Sequence, residues 1–253
     1  LYELLVRTSK MTLVHSHSAR RQIMESCPGC AVERVRMGIA LPAVVERDEA
    51  RRRLGLSPGL VLASFGLVTP EKRITTALRC VRRLINEGVE VDYYLVGPTV
   101  SHFDALEVAR ELEIAHRVHQ TGRVSQEDFW LYAFAADICL NLRYPSAGET
   151  SATLLRLLAA GRAVMVTDQV HHLDFPDTVV SRVSLEGDED GLFCDVMDLL
   201  RHPRRRLQFE TNSRRFISEE HTIEVMVDDY VEVLEQARDL PAPDTVLPEH
   251  LTS

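Results

Sequence analysis

The residues Gly148-Glu149-Thr150-Ser151 form a short polar loop between two apolar stretches of the chain. The stretch before it reads as the end of an apolar strand, and the one after it has helical spacing. Such a loop supplies a carboxylate, two hydroxyls and the unpaired amide N–H groups that every helix start exposes. Glu149 could accept two hydroxyls of a sugar or a ribose. Thr150 and Ser151 could donate amide and hydroxyl hydrogens to a phosphate, with Gly148 letting the backbone come close. A plainer reading of Glu149 is a helix N-cap, an acidic residue stabilised by the dipole with no ligand at all.

A second turn has comparable potential. Phe65-Gly66-Leu67-Val68-Thr69-Pro70-Glu71-Lys72-Arg73 follows an apolar run. Gly66 permits close backbone approach, Thr69 can cap a helix, and Pro70 suits a first helical position because it has no N–H to orphan. Lys72 then falls in the first helical turn, where a cation opposes the dipole unless an anion is bound. A surface lysine at a helix start is the alternative.

Positioning these loops requires strands and helices in alternation. Strands are expected at 12–15, 32–36, 60–65, 92–96, 117–120, 138–141, 163–167 and 179–184, with helices at 16–26, 71–87, 101–113, 126–135 and 150–160. This order predicts βαβ units and an α/β fold: a doubly wound parallel sheet covered on both faces, followed by C-terminal helices. Both loops then lie at the carboxyl ends of parallel strands, where open α/β sheets bind ligands. From 71 to 87 the residues Ile74, Ala77, Leu78, Val81, Leu84 and Ile85 form one apolar stripe, and Gly88 and Gly161 end helices in the left-handed conformation. Residues 192–238 read as helical with one break near His202-Pro203.

Residues 1–42 resemble the end of a preceding domain, 43–239 a second domain, and the proline-rich 240–253 a loosely attached tail. The chain opens on Leu1 rather than Met, and the expectation is that a longer N-terminal part precedes it.

With 253 residues, 45% of them hydrophobic and 26% charged, the composition is that of a soluble globular protein. A net charge of -9 argues against nucleic acid as the partner. Of the basic clusters, only Lys72-Arg73 adjoins a candidate site. No apolar run is long enough to span a bilayer, no signal peptide is visible, and five scattered cysteines do not make a disulfide framework. A cytoplasmic protein is expected, either free or peripheral to the inner face of the membrane.

Taken in order, FG-x-x-x-P-E-K-R, YYLVG, TGRVSQEDF, L-x-x-P-x-x-GET-S and LLAAGRAVMVTD resemble the donor-binding half of glycosyltransferase family 4. The similarity runs from about Leu60 to Tyr230, with TLVHSHSAR and VRMGI resembling the end of the family's N-terminal domain. The resemblance implies a retaining enzyme of the GT-B fold that uses a nucleotide sugar and no metal ion. It places Lys72 on the donor diphosphate and Glu149, the first of two family glutamates, near the transferred sugar. The arginine that usually follows the glycine is Leu67 here, so Arg73 or Arg123 is expected to supply that contact. The second glutamate falls on Leu157 or, with one residue deleted, on Arg156. A glycan, lipid or small molecule would be the acceptor, met by the N-terminal domain. An inactive binding module and a nucleotide-sugar epimerase are the alternatives.

Other motifs read more plainly. Asp188-Glu189-Asp190 has the form of a divalent-cation site, but it follows Gly187 at a helix start, where acids are favoured anyway. Cys27-Pro28-Gly29-Cys30 sits at a helix end without a second pair, and reads as two ordinary thiols. His15, His17, His171 and His172 read as satisfied loop histidines, with His171 keeping a place in the donor cleft as its alternative. Trp130 and Phe134 read as a helix face packed on the sheet.

Overall fold

Strands covered on both faces read as near-continuous apolar runs, and the central strands of this chain do. In the computed structural model, which describes residues 2–146, 148–169, 172, 174–185 and 188–242, all eight expected strands form. β1 (Thr12–Val14) and β2 (Val32–Arg34) make a small parallel pair. β3 (Leu60–Phe65), β4 (Val91–Val96), β5 (Val118–Gln120), β6 (Ile138–Asn141), β7 (Ala163–Thr167) and β8 (Val180–Val183) make one parallel sheet. Its order is β5-β4-β3-β6-β7-β8. The chain thus builds outward from β3 to one edge, crosses back, and builds from β6 to the other.

Alternate strand residues feed two cores. Leu62, Tyr93, Leu95, Ile138, Leu140 and Met165 pack under α4 (Ile74–Asn86) and α8 (Asp188–Arg201). Val61, Ala63, Phe65, Cys139, Val164 and Val166 pack under α6 (Gln126–Ala135) and α7 (Ala152–Ala159). The predicted stripe of α4 is buried, and Gly88 and Gly161 adopt φ of 78° and 63°.

Several expectations need correction. The helix expected from 71 begins at Ile74: Pro70–Lys72 is a separate 3-10 turn, and Arg73 sits between them at φ 53°. Lys72 is therefore not in the first turn of an α-helix, and the Thr69 side chain makes no capping bond. The helix expected over 101–113 shortens to α5 (Ala105–Glu111), because Asp104 caps it by accepting from the Leu106 and Glu107 amides. The C-terminal region has two breaks: α9 (Pro203–Glu220) ends at His221, and α10 (Ile223–Asp239) follows. Two helices flank the early strands: α1 (Tyr2–Arg7), which was not expected, and α2 (His17–Ser26). Of the expected tail, residues 243–253 lie outside the described residues.

The second break lets α10 return to the first residues of the chain. His221 donates through Nδ1 to the Met37 carbonyl (2.9 Å), and the Ile39 amide donates to the His221 carbonyl (2.9 Å). Arg36 grips Asp229 at 2.5 and 2.8 Å and Glu220 at 2.8 Å, which holds the Asp229 carboxyl below the usual carboxylate range.

At the amino ends of the strands, a buried carboxylate joins helices to sheet. Asp137 Oδ2 accepts from the Val61 amide (2.9 Å) and from Arg51 (2.5 Å) of α3 (Arg47–Leu54), while Arg206 of α9 lies 3.5 Å from Oδ1. Replacing Asp137 by alanine strands these cations and a strand amide, so a loss of about 3–5 kcal/mol is expected in denaturant unfolding. A loss below about 1 kcal/mol would show that water already serves the arginines.

Candidate functional site

The reversal of build direction falls between β3 and β6, which are adjacent and parallel. The loops leaving their carboxyl ends diverge there, and they are the two loops singled out from sequence. A main-chain bond ties them together, the Tyr144 amide donating to the Glu71 carbonyl at 2.7 Å. Between them opens a cavity of about 360 Å³ lined by Leu67, Thr69, Glu71, Lys72, Arg143, Pro145, Ser146 and Glu149.

Gly66 has φ 87°, and a Cβ there would lie 2.7 Å from Lys72 Nζ. That open side lets the lysine fold back over the turn and donate to the Phe65 carbonyl. Gly97 serves the same turn from β4, since a Cβ on it would sit 2.2 Å from the Gly66 carbonyl oxygen. Burial, and secondarily the charge of Arg143, push the Lys72 ammonium down to about 8. Glu71 is exposed, and its own amide and the Thr69 hydroxyl hold it below the usual carboxylate range.

The second loop is arranged around Arg143. Its amide donates to the Thr167 hydroxyl (2.9 Å), and its guanidinium donates to Glu149 Oε1 through Nη1 and to Ser151 Oγ through Nη2 (3.3 Å). The Nε of Arg143 is buried and meets no hydrogen-bond partner among the described residues. Ser146 donates to Glu149 Oε2 at 3.3 Å. Ser151, not Glu149, caps α7: its hydroxyl accepts from the Leu154 amide at 3.2 Å. Glu149 is thereby left half-exposed on the cavity wall, which disposes of the capping reading.

The predicted site residues separate into two groups. Gly66, Lys72, Gly148, Glu149, Thr150 and Ser151 come together at the switch point. Thr150 turns its hydroxyl to the His15 carbonyl (3.1 Å), and Ser16 reaches the Gly148 carbonyl (3.5 Å), so the loop is held by the β1–α2 unit. Arg73 is buried, donating to the Thr167 hydroxyl (3.1 Å) and the Ser184 carbonyl (3.5 Å). Arg123 is exposed in the loop after edge strand β5. Of the two positions open to a second glutamate, Leu157 is fully buried, and Arg156 stacks over Phe129 (5.3 Å) and Trp130 (5.9 Å) of α6. Arg143 was missed. A lone basic residue directly after an apolar strand, at a carboxyl end, was the signal that pointed to it.

A wider cleft of about 740 Å³ adjoins this cavity across Pro145 and Ser146. Ser18, Arg21, Gln22 and Glu25 of α2 face Tyr144, Gly148, Gln169 and Leu185 across it. The remaining motifs fall where packing puts them. Cys27 ends α2, and Cys27 and Cys30 are free thiols. His15 and His172 meet the Val35 and Thr167 carbonyls at 2.8 Å, and His171 lies outside the described residues. Phe134 is buried under the sheet and Trp130 only partly. α8 begins at Asp188, the Asp188 and Glu189 side chains lie outside the described residues, and Asp190 pairs with Arg83. Among the described residues no group of His, Cys, Asp and Glu could hold a metal, and no helix is long and apolar enough to cross a membrane.

Neither a family model nor a curated protein matches the sequence. Solved structures do match. Sucrose-phosphate synthase from Thermosynechococcus elongatus superposes with a TM-score of 0.81 at 16% identity, over 93% of this chain and 60% of that one. HepE of Anabaena, solved with UDP, gives 0.80 at 13% identity, over 91% and 65%. A glycosyltransferase from Rickettsia africae gives 0.79 at 12% identity, over 93% and 65%. The chain therefore has the Rossmann-like fold of GT-B glycosyltransferases and spans about 60 to 65% of the length of these structures.

The cap at Ser151 is a separable element of the site. Ser151→Ala is expected to cost about 1 kcal/mol in thermal or denaturant unfolding, and Ser151→Asn to recover most of it. Equal losses in the two variants would place the effect of Ser151 in its bond with Arg143 instead.

Proposed function

We propose that this chain is the donor-binding part of a glycosyltransferase that moves a sugar from a nucleoside-diphosphate sugar to an acceptor. The observation that supports it most is the placement of Lys72 and Glu149 on opposite walls of one cavity, at the point where the sheet reverses its build direction. Ligands of open α/β sheets bind at such points. HepE, with the same fold, was solved with UDP and with UDP-glucose.

In this reading Lys72 meets the diphosphate and stabilises the charge that develops as the sugar leaves. The start of α7 adds the Thr150 and Ser151 amides to the same task. Glu149 accepts hydroxyls of the transferred sugar. No metal ion takes part, and retention of configuration with attack from the leaving-group side is carried over from the family resemblance. The acceptor, a glycan, a lipid or a small molecule, enters through the wider cleft beside α2, opposite the donor.

A module that binds the donor without transferring sugar is the second reading. Arg156 favours it: a guanidinium stacked on two aromatic rings stands where the resemblance expects a ribose-binding carboxylate. Release of free nucleoside diphosphate in the presence of donor and acceptor separates transfer from this module and from epimerisation.

Lys72→Ala is expected to weaken nucleoside-diphosphate binding by about 1.5–3 kcal/mol in titration calorimetry, the scale of a charged hydrogen bond. Unchanged affinity would sink the assignment. The pH dependence has a definite sign. The free ammonium titrates near 8 and a bound diphosphate raises it again, so binding takes up a proton above that pH. Affinity should fall by up to about tenfold per unit as pH rises above 8, and Lys72→Arg should flatten the slope.

A further inference from the structure

A diphosphate carries more than one negative charge, and one lysine whose ammonium is partly buried does not balance it. Few other cations are placed to help. Leu67 is apolar, Arg73 is turned inward to Thr167 and Ser184, and Arg123 lies beyond the residues that line the cavity. Arg143 lines the same cavity as Lys72, from the opposite loop, close enough for its charge to depress the lysine. Two like charges on facing walls repel each other until an anion lies between them.

We infer that Arg143 is the second cation of the donor site, binding the distal phosphate across from Lys72, and that it surrenders Glu149 when it does so. This rests on the donor-site reading above. Arg143 is held by Glu149 and by Ser151, with its Nε unpartnered among the described residues. A guanidinium presents five donors in a planar fork suited to phosphate oxygens. A carboxylate left beside a diphosphate is repelled by it and gains by turning to hydroxyl donors. The same phosphate that engages Arg143 therefore releases Glu149 toward the sugar. The Arg143–Glu149 pair keeps the cavity neutral until the donor arrives, and couples recognition of the phosphate to recognition of the sugar. Glu71, the other carboxylate on the lining, is occupied by its own amide and Thr69 and does not compete for Arg143.

The test uses the whole chain in titration calorimetry against UDP, ADP, GDP and dTDP with their monophosphates. Arg143→Gln keeps hydrogen-bonding capacity toward Glu149 and Ser151 but removes the charge. It is expected to lower diphosphate affinity about 10- to 100-fold while monophosphate affinity changes little. Glu149→Gln is expected to raise diphosphate affinity about two- to fivefold by freeing Arg143, and this gain should vanish in the Arg143→Gln background. Equal losses for mono- and diphosphates would mean that Arg143 merely shapes the loop, and overturn the inference. So would wild-type affinity in Arg143→Gln, or a Glu149→Gln gain that persists without Arg143. Failure of the wild-type chain to bind any of these nucleotides overturns the donor-site reading itself, and the inference with it.

Discussion

The structure depends on one topological constraint: β3 sends its chain toward one sheet edge, and β6 sends its chain toward the other. Parallel strands require a crossover over one face each time, so the two connections depart on opposite sides. The loops at that seam cannot pack on each other along their length, and the crevice between them is a consequence of connectivity rather than of any side chain. Tight contacts at the rim keep it from collapsing or splaying. Gly97 admits the Gly66 carbonyl, the Tyr144 amide meets the Glu71 carbonyl, and the Thr167 hydroxyl receives both the Arg143 amide and the Arg73 guanidinium. The crevice is thus held open by polar backbone bonds that a hydrophobic filling could not replace.

Given that crevice, the electrostatics follow. Lys72 and Arg143 are held on facing walls by local geometry, and neither can move away cheaply. The lysine is folded over Gly66, and the arginine amide is anchored to a buried hydroxyl. Glu149 lies against one of the like charges, and burial lowers the pKa of the other. Two cations on facing walls, with one carboxylate lying against one of them, make a charge arrangement of the kind that clusters at functional sites.

How much of this could be read from the sequence depends on the range of the interaction. The central strands were legible because burial on both faces writes a near-continuous apolar run, and the stripe of α4 because a helix writes its own period. The 3-10 turn at Pro70–Lys72 was not, since Thr-Pro-Glu is equally good as an α-helix start; what interrupts it is Arg73, drawn inward by Thr167 and Ser184 from distant strands. The break at His221 was hidden for the same reason, its partners being Met37 and Ile39 far earlier in the chain. At the site, Glu149 and Lys72 were visible as motif residues. Arg143 belongs to no local motif, and its importance appears only when two loops more than seventy positions apart share a cavity.

That dependence on distant partners extends to the loop that carries Glu149. Thr150 hangs from the His15 carbonyl, Ser16 reaches the Gly148 carbonyl, and the α2 amide at His17 donates to Asp174 (2.9 Å) on the connection before β8. The chain just after β2, which pairs with β1, is itself clamped to α10 by Arg36. The carboxylate is therefore positioned by two bodies at once: the main sheet fixes the Arg143 end of its loop, and the small unit fixes the Thr150 end. A displacement of the small unit would be transmitted through two side-chain hydrogen bonds to the residues on either side of Glu149. The wider cleft lies between those same two bodies, so whatever fills it presses on the α2 face that holds the loop. In such an arrangement the two halves of the site are not independent, because the backbone that aims Glu149 at one cavity is suspended from the wall of the other.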